Sequence, residues 1–88
     1  MVMYKVVYSK GAIKDEEKIK NLGLKEKTLG LIEIVKNNPY QNPPPYEKLL
    51  GELKGLYSRR INIQHRLVYQ IYEKEKVVKI LSIWTHYE

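Results

Sequence analysis

The sequence predicts an α+β domain in which an N-terminal strand and two helices accompany a small, mostly antiparallel sheet of four to five strands. Three observations predict it. Residues 2–8 (VMYKVVY) form a short run rich in Val and Tyr, the composition of a strand. Residues 9–38 carry apolar side chains at helical spacing. Residues 56–84 then hold three runs rich in Ile, Val, Leu and Tyr, separated by segments short enough for hairpins. Between the helical and strand parts lies NNPYQNPPP, residues 37–45. Such a proline run can neither continue a helix nor join a central strand, so it is expected to be an extended surface connection.

In chain order, Ser9 is placed to cap a first helix whose early turns carry Asp15, Glu16 and Glu17, the sign of charge that an N-terminal helix dipole favours. Glu16 and Lys20 have i,i+4 spacing, and Gly23 is a C-terminal stop. A second helix over residues 24–38 has Leu24, Leu31, Ile32 and Val35 on one face, with Leu29 and Ile34 beside them. Gly30 within it marks a candidate close approach to a neighbour. Strands are expected at 56–61, 65–72 and 77–84, joined by Asn62-Ile63-Gln64 and by residues 73–76 into a meander. Helices packed on one face of such a sheet leave the opposite face free to bind something.

Eighty-eight residues suffice for one domain, here the whole of 1–88, and not for two. The absence of Cys excludes disulfides and thiolate metal sites, and permits a reducing compartment. The first residues lack the long apolar core and cleavage site of a signal peptide. No apolar run approaches the roughly 20 residues that span a bilayer, so a soluble cytoplasmic protein is expected, with no membrane partner. Sixteen Lys and Arg against ten Asp and Glu give a net charge of +6, which predicts attraction to polyanions. Both halves carry equal charge, but all three arginines fall between Arg59 and Arg66, and Lys54 to Arg66 contains no acid. Guanidinium is the planar, forked donor that suits phosphate, so Lys54, Arg59, Arg60 and Arg66 read as a phosphate-binding window.

Register sharpens this expectation. A three-residue turn at Asn62-Ile63-Gln64 sets Arg60 directly across from Arg66; a two-residue turn substitutes Arg59. Two guanidinium groups side by side repel and call for an anion between them. The competing reading gives Arg59 or Arg60 a surface salt bridge with Glu52 or Glu73. Glu47 follows the prolines; beside Arg66 it could act as a general base, and alternatively it caps a helical turn over residues 48–51. Of the two histidines, His65 reads as a structural residue of the turn, whereas His86 stands just past the last strand with an imidazole able to exchange a proton near neutral pH. Asp15 is the only aspartate, and no carboxylates or histidines have metal-ligand spacing, so a two-metal nuclease is not expected and no cofactor is implied. No phosphate-cradling glycine loop or nucleophile elbow is present.

The run PYEKLLGELKGLYSRRINIQHRLVY, residues 45–69, with His86-Tyr87 at the end, closely resembles the Txe/YoeB family of toxins from toxin-antitoxin systems, within the RelE-like fold group. The resemblance covers residues 39–87 well and the N-terminal half weakly. It implies a RelE-like fold with helices on one sheet face, and a ribosome-dependent endoribonuclease that cuts messenger in the ribosomal A site. By the same resemblance Glu47 matches the general base, Arg66 the phosphate-stabilising arginine, His86 the general acid, Tyr87 the adjacent C-terminal tyrosine and Arg60 a second active-site arginine. The implied chemistry is attack of the ribose 2'-OH on phosphorus without metal. The implied partners are a cognate antitoxin, the ribosome with its messenger, and, as an option, a second copy of the chain. Tyr57 stands where Trp is common in the family, Glu88 follows the tyrosine at which many members end, and residues 10–38 depart from the family pattern. Antitoxin and dimer contacts are therefore not carried over. Two other readings remain open: a non-catalytic RNA- or ribosome-binding module, and a gyrase-inhibiting toxin of the ParE type on the same fold.

Overall fold

The computed structural model describes residues 3–49 and 55–83. Strand β1 (Lys5–Tyr8) leads into helix α1 (Lys10–Asn21) and helix α2 (Lys25–Asn37). Strands β2 (Glu47–Lys48), β3 (Leu56–Arg60), β4 (Arg66–Tyr72) and β5 (Val77–Ser82) follow. They form one five-stranded sheet in the order β1-β5-β4-β3-β2. β1 pairs with β5 in parallel, and every other neighbouring pair is antiparallel. No helix among the described residues is long and apolar enough to cross a membrane.

The helix boundaries have local causes. Ser9 Oγ accepts from Ala12 N at 3.0 Å and donates to Leu81 O at 2.9 Å, capping α1 and tying its start to β5. Since α1 begins at Lys10, Asp15 to Glu17 fall beyond its first turn, which holds no acid. Asp15 instead reaches β5, accepting from Ser82 Oγ at 3.1 Å and Ile83 N at 3.3 Å. The Glu16–Lys20 pair does not close; on a solvated helix face such a pair gains too little to fix two long side chains. Gly23, at φ 73°, takes the left-handed turn that ends α1. α2 buries Thr28, Leu31, Ile32 and Val35, while Leu29 faces outward. Nothing approaches Gly30 within 4 Å of where a Cβ would stand, so the close contact expected there is absent.

The core lies between the helices and one sheet face. Ala12, Ile19, Leu31, Ile32 and Val35 pack with Leu67, Tyr69, Val78 and Ile80, and Val6, Tyr8, Tyr57 and Ile71 flank them. Side chains alternate along each strand, so the other face receives Ser58, Arg60 and Arg66. The proline-rich segment is fastened over the β3 end of the core by aromatic rings: Tyr57 stacks on Tyr69 at 5.7 Å and meets Tyr40 edge-on at 6.1 Å.

Candidate active site

The β3–β4 hairpin settles the arginine register. Ile61 N donates to His65 O at 2.8 Å, leaving Asn62-Ile63-Gln64 as the turn, and Arg60 pairs directly with Arg66. Asn62 Oδ1 holds the turn by accepting from Gln64 N at 2.8 Å and His65 N at 2.7 Å. It also lies 2.9 Å from His65 Nδ1, so the buried His65 is a turn-stabilising residue whose ring partner is a side chain.

Glu47 belongs to β2 and pairs with Ser58 of β3, so it does not cap a helical turn. Pairing with β3 satisfies the backbone that a turn would have left open: Leu49 N donates to Leu56 O at 2.9 Å just beyond the strand. Glu47 Oε1 lies 3.5 Å from Arg66 Nη1, an ion pair with the arginine side chain largely covered and the carboxylate mostly exposed. Pro45, Tyr46, Glu47, Ser58, Arg60 and Arg66 together line an open pocket on the face opposite the helices. One acid and two guanidinium groups thus meet in a single site. Neither Arg59 nor Arg60 bonds Glu73, which is engaged by Lys76, Tyr4 and Tyr40, and Glu52 lies outside the described residues.

Arg59 is excluded from this pocket. It is 1% exposed and points into the core face, where Nε donates to Tyr69 Oη at 3.0 Å, Nη1 to Pro44 O at 2.6 Å and Nη2 to Pro39 O at 3.0 Å. The Tyr46 ring covers the guanidinium at 5.0 Å. The phosphate contact expected of Arg59 is therefore corrected: its donors fasten the proline segment to the sheet. Strand alternation carried this signal, because Tyr57, Arg59 and Ile61 share the parity of the buried face. Lys54, His86 and Tyr87 lie outside the described residues.

Sequence reasoning passed over Ser58. Its side chain is 1% exposed, and among the described residues its Oγ and that of Thr28 are the buried hydroxyls with no hydrogen-bond partner. The signal that points to it is positional, two residues before Arg60 on the same face and directly opposite Glu47.

The architecture defines a class, the toxins of the RelE/YoeB fold, with two helices packed on a five-stranded mixed sheet. The family described as the YoeB-like toxin of bacterial type II toxin-antitoxin systems matches residues 10–87, and the chain belongs to that family. Among curated relatives, Toxin YoeB of Synechocystis sp. is 38% identical over 58 residues, 66% of this chain; the match spans 65% of that relative's length. Among solved structures, the YoeB/ParE toxin from Agrobacterium tumefaciens superposes with a TM-score of 0.85 at 28% identity, covering 94% of this chain and 99% of the other. The toxin-antitoxin YoeB-YefM complex from Staphylococcus aureus gives 0.79 at 31% identity, covering 98% and 100%. The RelE-like fold implied by the sequence resemblance is the fold found, including the N-terminal half where the resemblance was weak.

Proposed function

We propose that this chain is an endoribonuclease toxin that cuts messenger RNA at the ribosomal A site. The observation that supports it best is the convergence of Glu47, Arg60 and Arg66 on one open pocket of the helix-free sheet face. In the proposed reaction Glu47 removes the proton from a ribose 2'-OH as that oxygen attacks the adjacent phosphorus. Arg66 and Arg60 stabilise charge building on the phosphoryl oxygens. The bond from phosphorus to the 5'-oxygen breaks, and His86 protonates the leaving oxygen, with Tyr87 stacking on a base or orienting the phosphate. Lys54 adds positive charge along the RNA path. The products are a 2',3'-cyclic phosphate and a 5'-OH, and DNA is not a substrate because it lacks the nucleophile.

This activity places the protein in the cytoplasm with the ribosome and messenger as partners, and it calls for restraint by a cognate antitoxin. The YoeB-YefM complex of the Staphylococcus aureus relative supports that pairing. An acidic antitoxin segment over the basic pocket is the form expected from a net charge of +6.

The test is to mix purified protein with programmed ribosomes, or with naked messenger, and map cut positions and end chemistry. Cuts confined to ribosome-bound messenger, with 5'-OH ends, and lost in Glu47→Ala and His86→Ala, are expected. Binding without cleavage in both conditions would instead favour a non-catalytic module. A second reading, gyrase inhibition, is raised by the likeness to the YoeB/ParE toxin from Agrobacterium tumefaciens. Growth arrest that persists after replacing His86 would favour it.

A further inference from the structure

A buried hydroxyl without a partner carries a desolvation cost of roughly 1–3 kcal/mol, so a site that retains one calls for a reason. Ser58 Oγ is such a group, and its surroundings differ from those of Thr28, the other one among the described residues. Thr28 lies in a narrow crevice lined mostly by apolar side chains, with Glu16 and Lys25, one charge of each sign, beside them and no arginine pair. Ser58 lies in the pocket with Glu47, Arg60 and Arg66. It is Glu47's direct strand partner, and it stands one pleat from the Arg60–Arg66 pair on the same face.

The Arg66–Glu47 ion pair spans the same stretch of sheet. β3 lies between β4, which carries Arg66, and β2, which carries Glu47. The bridge therefore crosses two strand spacings of about 4.8 Å each and passes over β3. A phosphate arriving between the guanidinium groups competes with Glu47 for Arg66, because a dianion or diester oxygen is a forked acceptor that two arginines can share.

We infer that Ser58 is a further substrate-binding residue of the site: when a phosphate enters beside Arg60 and draws Arg66 off Glu47, the unpartnered Ser58 hydroxyl donates a hydrogen bond to a phosphoryl oxygen. The inference rests on the proposed function for its substrate and adds a third donor beside Arg60 and Arg66. It also gives Glu47 two states, paired with Arg66 at rest and released to act as a base when the phosphate is bound.

The experiment compares wild type with Ser58→Ala in three measurements: thermal melting, titration with inorganic phosphate followed by NMR, and single-turnover cleavage on programmed ribosomes. Removing an unpartnered buried hydroxyl leaves stability unchanged or raises it. The expected result is a variant that melts no lower than wild type, binds phosphate roughly 10-fold more weakly and cleaves roughly 10- to 100-fold more slowly. A variant that binds phosphate as wild type does overturns the inference, as does one that melts several degrees lower, which would reveal a structural partner. The two readings fail separately. Wild type that binds phosphate through Ser58 but cuts no messenger keeps the inference and removes the proposed nuclease; wild type that cuts messenger with Ser58→Ala equally active does the reverse.

Discussion

Arg59 and Arg60 are adjacent in sequence and answer to opposite forces. Arg59→Ala removes three hydrogen bonds and a ring contact, and leaves the part-buried Pro44 O without its donor. Unfolding in urea is expected to show a loss of about 3 kcal/mol. Arg60 is exposed, so Arg60→Ala is expected to leave stability within about 0.5 kcal/mol while slowing cleavage at least roughly 10-fold. If both variants lose stability equally, the assignment of opposite faces is wrong. For Arg66, a lysine keeps the charge but cannot form a forked contact with phosphate. Arg66→Lys is therefore expected to cut cleavage by roughly 10- to 100-fold at unchanged melting temperature, and near-normal turnover would remove the argument from guanidinium geometry.

The elements are held by contacts at their ends as much as by their faces. Ser9 Oγ both caps α1 and bonds Leu81 O, so a single hydroxyl joins the helix to β5. Ser9→Ala is expected to lower stability by about 1–2 kcal/mol, read by denaturant titration, with α1 amides exchanging faster than those of β4. The short β2 owes its existence to β3: two residues at an edge gain pairing only because the tyrosine-lined proline segment delivers them there. Tyr46 contributes at that junction, packing 5.7 Å from Tyr57 while covering Arg59.

At the scale of the whole molecule, Glu73 gathers three distant segments. Its carboxylate accepts from Tyr4 Oη at 2.8 Å, from Tyr40 Oη at 2.7 Å and from Lys76. These bonds, that from Lys76 foremost, lower its pKa from 4.5 to about 2. A group whose folded pKa is depressed contributes stability that is fully present above its unfolded pKa and is lost as pH falls through the folded one. Between pH 4.5 and 2 the wild type should lose melting temperature in a step that Glu73→Gln lacks. Identical acid profiles for the two proteins would show that the cluster does not couple to folding. Burial and the bond to Glu73 likewise raise the Tyr40 phenol, so it remains a donor throughout the working pH range.

By itself the sequence determined the periodic features: two helices ended by Gly23 and the proline run, a meander of β3 to β5, a basic window and a family resemblance through residues 45–69. These were legible because helix and strand periods, turn residues and charge are local properties of the chain. An arginine opposite Arg66 was legible as one of two, Arg60 or Arg59 according to turn length, and the folded hairpin selects Arg60. The tertiary structure decided which arginine faces the core, that Glu47 enters a strand, and that β1 lies in parallel beside β5. It also decided that Ser58 is closed over by its neighbours. Each of these depends on which side chains compete for the same buried space and which backbone groups find partners far along the chain. No local pattern fixes that competition; the fold resolves it by covering Arg59 with carbonyl acceptors and leaving Arg60, Arg66 and Glu47 around an open pocket.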